Sequence, residues 1–229
     1  AVGDYDRDGW PDIFLCAIDG NSALYKNNGN WTFADATSSS SLKELGHRHR
    51  GAVFADLNGD DWLDLLVGTV DRGIRTFINQ RGVFQEMSQT SGLAGVYAPM
   101  TMALADVDSN GTLDLYVTNN RPSDIRDEGS ITLRRVGGKL VIPAQYRKRL
   151  VVSGGIVKEY GEADFLFLND GKAVFRKSSW TEGRFLTPQG EPLSDAPLDW
   201  GLSAAFHDIN KDGLPDLYVC NDFWTPDRF

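Results

Sequence analysis

The chain has 229 residues, 41% of them apolar and 11% aromatic, which is enough to fill a core and too apolar for a disordered segment. Its formal net charge of −9, from 32 acids against 23 bases, argues against a nucleic-acid surface. No apolar run approaches the roughly 18–20 residues of a spanning helix, so no membrane insertion is expected of this segment.

The first element is an acidic loop, DYDRDGWPD at 4–12, followed at once by the apolar run IFLC. Next comes LYKNNGNWTFADAT at 24–37: an alternating run, an Asn, a Gly turn and a Phe-bearing run, which predicts a β-hairpin. The same order recurs. GAVFAD leads into DLNGDDWLD at 56–64, then LLVG, then the hairpin text IRTFINQRGVFQEMS at 74–88. TMALAD leads into DVDSNGTLD at 106–114 and LYVT, but the matching hairpin text, FLFLNDGKAVFRKSS, arrives only at 165–179. LSAAFHD leads into DINKDGLPD at 208–216 and LYVC.

The loops start at 4, 56, 106 and 208, a period near 50 with one doubled interval, so the chain is a repeat array. From the closing Asp to the hairpin Asn the distance is 15 residues for Asp12–Asn27 and again for Asp64–Asn79, but 55 for Asp114–Asn169. About 40 extra residues, at 121–163, therefore sit inside the third repeat. Four short antiparallel strands per repeat predict an all-β fold, a β-propeller of which this chain holds roughly three and a half blades. The expected units are 1–44 (lacking most of its first strand), 45–95, 96–180 with the insert, and 181–229 as linker and partial repeat. Both ends fall inside a repeat, which is expected of a fragment of a longer protein.

Oxygen-bearing side chains at alternate positions, closed by an acid at position nine, suit a hard divalent cation such as Ca2+. The expected ligands are Asp4, Asp6, Asp8, the Trp10 carbonyl and Asp12 in the first loop; Asp56, Asn58, Asp60, the Trp62 carbonyl and Asp64 in the second; Asp106, Asp108, Asn110, the Thr112 carbonyl and Asp114 in the third; and Asp208, Asn210, Asp212, the Leu214 carbonyl and Asp216 in the fourth. About four ions would then offset most of the chain's negative charge. An EF-hand is excluded because its position twelve is a Glu, and here that position is Leu15, Val67, Val117 or Val219. Position six is Gly except in the second loop. There Asp61 is expected to take the left-handed backbone and face solvent, with Gly59 shifting the bend.

The remaining signals are weaker. Cys16 and Cys220 occupy equivalent places in different repeats, which predicts buried free thiols rather than a bridge. His47 and His49 are read as a loop or strand edge rather than a metal pair, and His207 as packing or support behind the acidic loop rather than a catalytic group. Trp10, Trp62, Trp200 and Trp224 are read as shields rather than sugar platforms. The insert, basic over 134–158, is expected to form an extruded hairpin or small sheet, with 122–162 dispensable for the core.

The pattern D-x-D-x-D-G-x-x-D-[LI]-x-V, followed by L-Y-x-N-x-G and a Phe, resembles the FG-GAP/VCBS repeat of integrin-α-type β-propellers. The text at 200–229 further resembles secreted bacterial members similar to cartilage acidic protein. The resemblance covers 1–120 and 165–229. It implies calcium in the loops, about seven blades when complete, and an extracellular, periplasmic or cell-surface setting. The expected function is a calcium-binding scaffold for adhesion or protein–protein recognition, with another protein or a cell-surface glycan as partner and the ions structural. The alternatives are a lectin-like propeller or the non-catalytic part of a secreted polysaccharide-active enzyme. No nucleophile motif such as G-x-S-x-G is present, and no catalysis is expected of this segment.

Overall fold

A computed structural model describes the chain apart from residues 44, 47, 122–124, 126–128, 130 and 223. The first antiparallel sheet runs β1 (Val2–Gly3), β2 (Asp12–Leu15), β3 (Ala23–Asn27) and β4 (Phe33–Asp35), in that order. The second repeats it with β5 (His49–Ala55), β6 (Asp64–Thr69), β7 (Ile74–Asn79) and β8 (Phe84–Glu86). The third begins with β9 (Ala98–Ala105) and β10 (Asp114–Asn120). Two separate hairpins then intervene: β11 (Arg134–Val136) with β12 (Lys139–Val141), and β13 (Leu150–Ser153) with β14 (Ile156–Glu159). The sheet is completed by β15 (Phe165–Asn169) and β16 (Phe175–Lys177). The last pair is β17 (Gly201–His207) with β18 (Asp216–Asn221). Helix is almost absent among the described residues. The chain is an all-β partial propeller, as its spacing predicts.

The apolar runs after each loop are continuous, not alternating, because the second strand of a sheet is covered on both faces. Side chains alternate along it, so neighbours enter different cores. In β6, Leu65 and Val67 join Phe14, Leu24, Phe77 and Phe84 between the first two sheets. Leu66 instead joins Leu115, Val117 and Phe167 between the second and third. In β10, Tyr116 turns the other way, toward Leu166, Leu168 and Val219. Each such side chain contributes about 1.5–3 kcal/mol when fully buried.

The insert folds as two hairpins, in line with the expected hairpin or small sheet. Its hairpins each turn on a Gly-Gly pair with positive φ, 56° and 79° at Gly137–Gly138 and 59° and 77° at Gly154–Gly155, the two-residue turn that suits strand twist. Its base is fastened to the body. Arg121 donates through Nη1 to Glu162 at 2.6 Å and through Nη2 to the Gly161 carbonyl at 3.0 Å. Gly161 N–H donates to the Leu198 carbonyl, and Trp200 Nε1 to the Glu159 carbonyl. A Cβ on Gly161 would lie 1.6 Å from the Asp199 carbonyl oxygen, so only glycine fits this approach. Excising 122–162 would therefore remove part of the seat of β17. Calcium stoichiometry and folding of a protein lacking 122–162 decide whether the core needs these contacts.

Candidate metal centres

Each acidic loop joins the first two strands of a sheet and is wound by its own side chains. The position-one carboxylate accepts backbone N–H groups from positions five and six. Asp4 takes Asp8 at 3.1 Å and Gly9 at 2.8 Å. Asp56 takes Asp60 and Asp61, Asp106 takes Asn110 and Gly111, and Asp208 takes Asp212 and Gly213. The position-five side chain accepts from position seven: Trp10 to Asp8, Trp62 to Asp60, Thr112 to Asn110 and Leu214 to Asp212, all at 2.8–2.9 Å. These are the side-chain turns that short oxygen-bearing residues make with their own backbone.

This winding forces two residues per loop into the left-handed region. Position six has φ of 91° at Gly9, 67° at Asp61, 83° at Gly111 and 87° at Gly213. Position four is left-handed as well, with φ of 57° at Arg7, 76° at Gly59, 58° at Ser109 and 65° at Lys211. Gly59 therefore does not shift the bend: the second loop keeps the same backbone and exchanges which position carries the glycine. Asp61 does take positive φ and is exposed, as expected. Relieving that strain with Asp61→Gly is expected to stabilise the protein by roughly 0.5–1 kcal/mol. Chemical denaturation checks this, and an unchanged or lower midpoint would show that Asp61 carries a compensating contact.

The closing acids do more than end the loop. Asp12, Asp64 and Asp114 have no solvent exposure. One oxygen of each accepts the position-two N–H, from Tyr5 at 3.1 Å, Leu57 at 2.9 Å and Val107 at 3.0 Å. The other accepts the N–H of the hairpin Asn, from Asn27, Asn79 and Asn169, each at 2.8 Å. The sequence spacing of 15, 15 and 55 residues is thus a direct contact. Asp216 keeps the first of these bonds, from Ile209 at 2.9 Å. Burial pushes all three buried carboxyls up, Asp64 to about 7, with the two N–H donors pulling the other way.

The hairpin Asn completes the clasp. Asn79 Nδ2 donates to the Leu63 carbonyl in its own loop and to the Tyr5 carbonyl in the preceding loop, while its Oδ1 accepts from Gly82. Asn169 does the same toward Leu113, Leu57 and Gly171. Sequence reasoning noted these Asn residues only as hairpin markers. Their shared 15-residue spacing from the closing acid in the first two repeats was the signal that could have assigned them.

Carboxylate oxygens of Asp4, Asp6 and Asp8 lie within 4.8 Å of one another, as do those of Asp106, Asp108 and Asp114. In the second and fourth loops the position-three residue is an amide, and Asn58 and Asn210 donate to the position-five carboxylates of Asp60 and Asp212. The donor set is all oxygen, and Asp6 Oδ1 is shielded from water without a hydrogen-bond partner. Such an orphaned acceptor among carboxylates fits a hard cation.

Other candidates sort differently. His49 is buried and its Nδ1 lies 2.7 Å from Ser22 Oγ, while His47 is outside the described residues. His207 is exposed at the end of β17, which speaks against packing and not against a supporting place beside Asp208. Cys16 and Cys220 are free but only half-buried. Trp200 is buried, Trp10 is 49% exposed, and the Arg7 guanidinium sits 5.4 Å above the Trp62 ring.

Tandem four-stranded sheets, each with an acidic loop between its first two strands, define a partial propeller built from repeats. The chain carries FG-GAP-like repeats, matched over residues 4–67 and again over 56–117. It is 28% identical over 122 residues to cartilage acidic protein 1 of Xenopus tropicalis, covering 52% of this chain and 19% of that protein. It is 25% identical over 197 residues to cartilage acidic protein 1 of Homo sapiens, covering 85% of this chain and 26% of that protein. The chain thus spans about a fifth to a quarter of the length of these relatives. No helix among the described residues is long and apolar enough to cross a membrane.

Proposed function

We propose that the chain is part of an extracellular or cell-surface interaction scaffold whose four loops take Ca2+ as a structural ion. The observation that carries the metal reading is the convergence of Asp4, Asp6 and Asp8, and of Asp106, Asp108 and Asp114, on loops with the same backbone. In each loop the ligands would be the side chains at positions one, three, five and nine and the carbonyl at seven, those of Trp10, Trp62, Thr112 and Leu214 among them. The bound ion would supply charge neutralisation and stiffness. The loops themselves hold the backbone turns, and the clasps fix them to the sheets. The FG-GAP-like repeats and the cartilage acidic protein relatives support an interaction role outside the cell, with another protein as the partner class. A glycan-binding reading is less well supported, because Arg7 covers the face of Trp62 where a sugar would stack. The ions are read as structural, and no residue is assigned to catalysis.

The test is thermal melting in chelator and in calcium, with calorimetry for stoichiometry. A ligand that binds only the folded state adds about 2.7 kcal/mol per site at a hundredfold excess over Kd. The melting temperature is expected to rise by several degrees in millimolar calcium, with up to four ions bound. Identical melts and no calcium heat would overturn the metal reading.

A further inference from the structure

The first loop differs from the others in one respect that its acidic motif does not show. The residue just before the hairpin Asn is Lys26 in the first repeat, where the second and third have Ile78 and Leu168. Ile78 and Leu168 pack into the cores between sheets. Lys26 instead bends its ammonium back over the acidic loop. It forms an ion pair with Asp6 Oδ2 and a second with Asp8 Oδ2 at 2.5 Å. Both partners are position-three and position-five side chains, two of the groups expected to face an ion. The lysine is two-thirds shielded, as is Asp8, and Asp6 more so.

We propose that Lys26 is a built-in counter-cation of the first loop, neutralising Asp6 and Asp8 when no metal is bound and competing with a divalent cation for them. This rests on the calcium reading above for its second half only. An ammonium and a divalent ion cannot share two carboxylates a few ångströms apart without strong repulsion. Binding at this loop therefore requires Lys26 to swing away. The first loop becomes a weaker divalent site than the second and third and is better ordered than they are without metal. The second and third loops have an aliphatic side chain at the same place and depend on the ion itself to relieve their carboxylates.

The test has two independent arms. In chelator, Lys26→Met is expected to lower the melting temperature by about 2–4 °C. The loss should shrink in an Asp6→Asn background, because the neutralising partner is then already gone. A Lys26→Met melt equal to wild type, or losses that simply add, would overturn the counter-cation role without any calcium being present. For the metal arm, Trp10 belongs to the first loop and Trp62 to the second, while Thr112 and Leu214 hold that place in the others. Trp180 packs in one cluster with Val107 of the third loop and Leu217 beside the fourth, so the terbium luminescence lost on going from Trp62→Phe to the Trp10→Phe/Trp62→Phe double variant is taken as the report of the first loop. Lys26→Met is expected to tighten terbium binding there about tenfold, and Lys26→Arg to leave it near wild type. Unchanged terbium affinity in Lys26→Met, with calcium still bound elsewhere by calorimetry, would overturn the competition and leave the calcium reading standing. Absence of terbium and calcium binding in every variant would overturn both.

Discussion

Replacing Asp64 by alanine should cost about 3–5 kcal/mol even in the presence of chelator. The carboxylate is fully buried and is the sole described acceptor for two N–H groups, those of Leu57 and Asn79, which are themselves 2% and 1% exposed. Each donor left unpaired in the interior costs about 1–3 kcal/mol, and a small cavity adds to that. The loss would be a large fraction of the 5–15 kcal/mol typical of a folded domain. The effect should also depend on pH, with a definite sign. Burial raises the folded carboxyl of Asp64 to about 7. The stability linked to that raised value is present in full below the ordinary carboxylate range near 4 and is lost as pH climbs through 7. In chelator the penalty of Asp64→Ala should therefore be larger at pH 5 than at pH 8. Denaturant midpoints of the two proteins at both pH values decide the matter. Matching midpoints in chelator would mean that the acid acts only through a bound ion.

A comparable loss, about 3 kcal/mol, is expected for Asn79→Ala. Its side chain donates to Leu63 and Tyr5 and accepts from Gly82, and the Tyr5 contact lies 74 residues away in the preceding repeat. Truncation orphans two carbonyls and one N–H and removes a polar stitch between neighbouring sheets. The adjacent Gln80, which is exposed, supplies the control: Gln80→Ala should stay within about 0.5 kcal/mol of wild type. Unfolding curves for Asn79→Ala that match those of Gln80→Ala would show that the clasp contributes nothing measurable. Hydrogen exchange at Tyr5, Asp6 and Arg7 gives a second reading, because loosening should appear in the first repeat although the change lies in the second.

Much of this fold can be read from the chain because its signals repeat. The loop text marks where one strand ends and the next begins, and Leu65-Leu66-Val67 following Asp64 marks a strand covered on both faces. What stayed hidden is what a repeat does to its neighbours. The role of Asn79 toward Tyr5 requires knowing that consecutive sheets stack with the loops on one side, which no local pattern states. The left-handed backbone at Arg7, Ser109 and Lys211 was missed because none of these residues is glycine, and their side chains give no hint of positive φ. The seat of the insert stayed out of sight for a related reason. Residues 159–162 read as the end of a foreign segment, yet Gly161 is held against Asp199 by a contact visible only in space.

The clasp between closing acid and hairpin Asn also explains how the third repeat carries so much additional chain. Asn169 N–H meets Asp114 Oδ1 at 2.8 Å across 55 residues, the same distance at which Asn27 meets Asp12 across 15. Lengthening a flexible connection from the shorter to the longer span adds only about 1 kcal/mol of closure entropy, since that cost grows with the logarithm of length. The bond reads the two ends and is indifferent to what lies between them. The turn between the second and third strands of a sheet is therefore a natural graft position. Foreign polypeptide placed there in the first or second repeat would be displayed from a framework whose register is set elsewhere.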